Sequence, residues 1–142
     1  MPLNNFAPKP GRFGTLPIAL SRRLNTGTLS AGTVTHNLGG FPANAIINRA
    51  SFCAETFPTA VTSCLATISK VTGATVVVLT DALNINTQTA DTPLQFVFLT
   101  STTEAQRLLT TSDSLRVTIV TTGSVTTQPD DATVTVELLV KQ

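Results

Sequence analysis

A chain of 142 residues and 14.9 kDa is the size of one ordinary domain, able to bury roughly two thirds of its unfolded surface without metal or disulfide staples. With 42% hydrophobic but only 12% charged residues, it is no disordered polyelectrolyte, and much of its surface must be neutral. A net charge of +1 is too small for the whole chain to bind nucleic acid nonspecifically.

The 27 threonines, with many Val and Leu, favour strands over helices. Residues 1–25 carry Pro2, Pro8, Pro10 and Pro17. Proline fixes φ and removes a donor, so Pro2 to Pro17 cannot enter the interior of a sheet, and an extended N-terminal arm is expected over 1–25, ahead of a β-sandwich over 26–142. Fully stretched, that arm reaches about 80 Å at about 3.3 Å per residue. It has no apolar run of signal-peptide length, and nowhere are there 18 consecutive apolar residues. Neither an export signal nor a transmembrane helix is therefore expected, and no membrane partner. Phe6, Phe13, Leu16, Ile18 and Leu20 make the arm more apolar than a spacer needs, so it is expected to dock, on its own domain or on a partner.

Strands are then predicted over 33–37, 44–53, 61–70, 74–80, 83–87, 94–100, 114–122 and 132–140. The pair 61–70 and 74–80 turns at Thr72-Gly73. The run LQFVFL at 94–99 is apolar at both parities, the pattern of a strand buried on two sides. Leu115, Val117 and Ile119 alternate with Arg116 and Thr118, and Val134, Val136, Leu138 and Val140 with Thr133, Thr135 and Glu137. Ser101 to Glu104 has capping-box spacing and predicts a helix of one or two turns over 105–109. About eight short strands with long loops predict an all-β jelly roll or related Greek-key sandwich rather than an up-and-down barrel.

Catalytic chemistry has little to work with. His36 is the only histidine, and no Gly-x-Ser-x-Gly elbow accompanies it; it is expected at a strand end, hydrogen-bonded to a loop. Cys53 and Cys64 flank a turn around Phe57-Pro58 and could face each other across a hairpin. Without an export signal, free buried thiols are expected over a disulfide. Gly39-Gly40 precedes Pro42 rather than Gly-Lys-Ser and is a turn, not a phosphate loop. Asp130-Asp131 lacks the spacing of a calcium loop and predicts a solvated hairpin turn. There is no Trp or Tyr to build a sugar platform. No enzyme activity, cofactor or metal is expected.

Charge is unevenly placed. Residues 1–54 carry Lys9, Arg12, Arg22, Arg23 and Arg49 without a single acid, giving +5, while residues 55–142 sum to −4. A basic arm on a mildly acidic body fits a subunit that reaches onto an acidic partner or a sister copy. Nucleic acid is the weaker rival, because Arg22-Arg23 is only a dipeptide and stacking aromatics are few.

The segment Gly32-Thr-Val-Thr-His36-Asn-Leu-Gly-Gly40-Phe-Pro42, followed by the apolar strand from Asn44 to Ile47, resembles a recurring element of tailed-phage structural proteins. Gly39 and Gly40 would permit the reversal there, and Pro42 would block continuation. The whole layout resembles the jelly-roll cement, or decoration, proteins that coat capsids of short-tailed phages such as that of Bordetella. That resemblance implies a virion structural protein on the outer capsid surface, made in the host cytoplasm. It further implies binding to the major capsid protein, as a homo-oligomer with a dimer favoured over a trimer. Phe6, Phe13 and Leu16 are then the expected partner anchors, with Lys9, Arg12, Arg22 and Arg23 contacting acidic groups around them. The alternative is a tail-fibre or receptor-binding module recognising a host surface glycan.

Overall fold

The computed structural model describes residues 15–24 and 27–141. In chain order its strands are β1 (Thr15–Arg23), β2 (Gly32–Gly40), β3 (Ala45–Cys53), β4 (Thr59–Ala60), β5 (Ser63–Thr72), β6 (Thr75–Val78), β7 (Leu83–Asn84), β8 (Leu94–Gln95), β9 (Leu108–Leu109), β10 (Asp113–Thr122), β11 (Val125–Thr127) and β12 (Thr133–Lys141); the helix α1 spans Glu104–Arg107. All strand pairs are antiparallel. One sheet runs β1-β12-β3-β8, with β9 also on β3, and the other β2-β10-β5-β6, with β7 also on β5. Numbering the eight strands on those two paths in chain order gives 1-8-3-6 and 2-7-4-5. That is the strand order of a jelly roll, in which every connection between these eight strands crosses between the sheets except the hairpin joining β5 to β6.

One core joins the two sheets. β12 turns Val134, Val136 and Leu138 inward, β3 contributes Ile47, Ala50 and Phe52, and β10 faces them with Leu115, Val117 and Ile119. Alternation at period two puts every second residue on that inner face, as expected for β10 and β12. Burying each such Leu, Ile or Val contributes about 1.5–3 kcal/mol before entropy is counted. The hairpin between β5 and β6 turns where the sequence places it, with Thr72 paired to Thr75 and Gly73 at φ 58, a left-handed conformation that glycine adopts without a Cβ clash.

Several expectations need correction. The arm expected over 1–25 is, across Thr15–Arg23, a nine-residue strand paired along its whole length with β12. Pro17 is tolerated there because β1 is an edge strand, where a missing donor faces away from the ladder; residues 1–14 lie outside the described residues. The run at 94–99 is not a strand buried on two sides. Phe96 is buried but Val97 is 63% exposed, because the segment changes sheets: Leu94, Gln95 and Phe96 pair with β3, whereas Val97 and Leu99 exchange backbone hydrogen bonds with Asp81 and Leu79 beyond β6. It therefore laces the two sheets together along one side.

The helix starts two residues later than its expected capping box. Thr103 is the N-cap, its hydroxyl accepting from the Gln106 N–H while the Gln106 side chain accepts from the Thr103 N–H, and helical geometry lasts only through Arg107. Cys53 and Cys64 do not face each other across a hairpin. They sit in different sheets, opposite Thr133 and Thr121 respectively, and both are free thiols, Cys64 buried and Cys53 half-buried. Asp130-Asp131 connects β11, which pairs with β4, to β12 in another sheet, so it is a crossing rather than a hairpin turn.

Candidate partner-binding surfaces

Phe6, Lys9, Arg12 and Phe13 lie outside the described residues. The backbone of Leu16 stands opposite Val140 in the β1–β12 ladder, so it belongs to the sandwich and not to a free arm. Arg22 shares its strand face with Ile18 and Leu20, which lie opposite the buried Leu138 and Val136. Its guanidinium stacks 5.1 Å from the centre of the Phe41 ring and donates to the Ser21 carbonyl at 3.3 Å. Arg23 points the other way and its Nε lies 2.9 Å from Asp131 Oδ1, with 74% of the side chain exposed. Both arginines thus have partners within their own domain. The sequence missed this because Asp131 and Phe41 are remote in the chain and only the jelly-roll register brings them to β1.

The two outer sheet faces differ. On the β2-β10-β5-β6 sheet, Val76, Val78 and Val120 are 46%, 47% and 42% exposed, and the register places them on the face opposite the core with Thr35, Thr118 and Thr67. Arg116 is the only charged side chain these strands place there, and among the described residues it has no ion-pair partner within 4 Å. Runs of Thr and Val fit a pleated surface well, which is why this face was legible as strand yet silent about its neighbour. The β1-β12-β3 face instead carries the Arg49–Glu137 pair at 3.8 Å beside a shallow groove of about 300 Å³ bordered by Pro17, Ala19, Asn48 and Leu139. A larger, polar depression of about 470 Å³ lies at the end of β1 between Arg23, Leu24, Gly27 and residues 129–132.

Titratable groups in the interior are structural in their contacts. Asp113, 7% exposed, accepts hydrogen bonds from the Thr110 N–H at 2.8 Å and its hydroxyl at 3.0 Å, and from the Thr72 hydroxyl. Burial opposes its charge, yet those donors and the nearby Lys70 ammonium outweigh burial and hold its carboxyl below the usual range. Lys70 in turn donates to the Leu108 carbonyl at 3.2 Å, a contact from one sheet to the other. Burial pushes the Cys64 thiol up, with the Thr121 hydroxyl pulling back. Among the described residues no three His, Cys, Asp or Glu side chains gather where a metal ion could be held.

His36 is not at a strand end and has no loop partner. It lies within β2 opposite Val117, so its ring is on the inner face, and its buried Nε2 lacks a hydrogen bond. Burial lowers its pKa. The unfolded chain therefore takes up a proton before the folded one does, and stability falls as the pH drops below about 6.5. The melting temperature of the native chain is expected to fall between pH 7 and pH 5 more than that of His36→Leu; parallel melting curves across that range would contradict it.

No protein-family model matches the chain, and no curated protein matches it either.

Proposed function

We propose that this chain is a non-enzymatic structural protein of a phage particle, binding the outside of the capsid as a homo-oligomer and bridging major capsid protein subunits. The observation that carries the reading is the valine- and threonine-covered outer face of the β2-β10-β5-β6 sheet, with Arg116 as its one charge. A face so poor in charge is suited to lasting contact with another protein. The jelly-roll order and the resemblance of residues 32–47 to tailed-phage structural proteins support it, and the acid-free first 54 residues supply charge complementary to an acidic shell. Such a protein acts by mass action: each contact forms only on the assembled shell and so shifts the equilibrium toward it.

The arm's share of the binding is tested by deletion, and the cut has to stop before Thr15. A deletion reaching residue 24 would strip β1 from β12 and uncover Val136 and Leu138. Removing residues 2–13 is expected to leave a folded domain that no longer occupies purified shells. Phe13→Ala should lower occupancy even in high salt, and Arg12→Ala mainly at low ionic strength, because a charge contact is screened and an apolar one is not. Full occupancy after the deletion would remove the arm from the interface. Binding to a glycan array, with none to shells, would replace the capsid reading by a receptor-binding one.

A further inference from the structure

The two long sides of the sandwich are treated differently. On one side the edge strands are short, four residues in β6 and two in β8, and the segment after β8 stitches them together through the Asp81 N–H to Val97 carbonyl bond at 2.8 Å and the Leu99 N–H to Leu79 carbonyl bond at 2.9 Å. On the other side lie β1 and β2, nine residues each, with no strand on their outer edges among the described residues. Long edges left open recruit another strand unless charge, proline or a bulge blunts them. β1 carries Pro17, Arg22 and Arg23. β2, GTVTHNLGG, carries neither proline nor charge, and its bulge against β10 falls only near its end, at Leu115/Arg116.

β2 is also the centre of the longest uncharged stretch in the chain: no Asp, Glu, Lys or Arg occurs from residue 24 to residue 48. On its inner face Val34 and His36 are only half-buried although their ladder partners Ile119 and Val117 are fully enclosed. The apolar seam between the sheets therefore reaches the surface along this edge.

We propose that β2 pairs antiparallel with β2 of a second copy of this chain, joining two β2-β10-β5-β6 sheets into one across a two-fold axis. Charge selects this occupant. Antiparallel self-pairing sets Thr, Val, His and Asn against one another, so no like charges meet, and free backbone N–H and C=O groups on both strands find partners. Residues 1–14 are poorer candidates for the same edge, since Pro2, Pro8 and Pro10 each lack a ladder donor. A two-fold contact is isologous and closes at two copies. The inference concerns self-association alone and does not rest on the capsid reading, which shell occupancy measures separately.

The test uses the full chain in analytical ultracentrifugation. The native protein is expected to be a dimer, and Thr33→Lys/Thr35→Lys, which places exposed outer-face cations along the seam, is expected to dissociate at least about tenfold more readily. Thr33→Glu/Thr35→Glu should weaken the dimer alike, and mixing the two variants should restore a heterodimer, which a merely misfolded variant would not do. Backbone amides of β2 in the native chain should become more protected from hydrogen exchange as concentration rises. A native monomer, a native trimer, variants as dimeric as the native chain, no recovery on mixing, or concentration-independent exchange in β2 would each overturn the proposal. So would a dimer lost on removing residues 2–13 but kept by the Lys variant.

Discussion

Phe52→Ala is expected to cost about 4 kcal/mol of unfolding free energy, the largest loss among single substitutions considered for this chain. Phe52 is fully enclosed, stands opposite Val134 on one side and Leu94 on the other, and meets the Phe57 ring at 5.8 Å between centroids with the planes tilted by 44°. Truncation removes the ring's buried surface and leaves a cavity that three strands of a ladder cannot collapse into, because their spacing is fixed by backbone hydrogen bonds. Against a total stability of about 5–15 kcal/mol for a domain, that is a large fraction. Urea unfolding should show a lower midpoint with an unchanged slope, and Phe52→Leu should recover more than half of the loss. Because the rings touch, Phe52→Ala/Phe57→Ala should cost less than the sum of the two single changes. Strict additivity would mean that the ring pair contributes nothing beyond burial.

Asp113→Ala is expected to cost about 2–3 kcal/mol at neutral pH. It would leave the Thr110 N–H and the Thr72 hydroxyl without their acceptor, and it would loosen the turn from which β10, an interior strand of its sheet, begins. The sign with pH follows from the lowered pKa. A carboxylate held below its unfolded value stabilises the fold fully above that value, near 4, and the contribution fades as the pH falls through the folded pKa. Native and variant melting temperatures should therefore differ most at pH 7 and converge toward pH 2. A gap that persists at pH 2 would assign the loss to packing rather than to the ionised carboxyl.

What the sequence disclosed followed the strength of its periodicity. Val134, Val136 and Leu138 alternate against Thr and Glu over a long strand, and so do Leu115, Val117 and Ile119; both inner faces are as expected. The jelly-roll choice, read from strand number and loop length, holds in the strand order. LQFVFL failed because an apolar run without a period cannot distinguish a doubly buried strand from a segment that changes sheets midway. β1 was missed because proline rules out the interior of a sheet but not its edge, and edge position is a property of the whole topology. The binding surface was the least legible part. Arg22 and Arg23 were conspicuous as charges, whereas the uncharged stretch from residue 24 to residue 48 takes on meaning only once the neighbouring strands are placed and β2 is seen to be an open edge.

The zipping of β1 onto β12 has a consequence for how the chain is made. Ser21 and Thr135, whose hydroxyls meet at 2.8 Å, are 114 residues apart, and β12 lies between β1 and β3 in their sheet. As the polypeptide leaves the ribosome, β1 and β3 emerge long before the strand that separates them; β3 can pair with β8 and β9 on its other edge, but β1 has no native neighbour in its sheet until β12 follows. Closure of that sheet is thus a late event, delayed by loop-closure entropy and by translation itself. Nascent chains stalled before residue 133 should remain protease-sensitive throughout, and with both β1 and β2 uncovered they would be at their most vulnerable to pairing with other nascent chains on the same messenger.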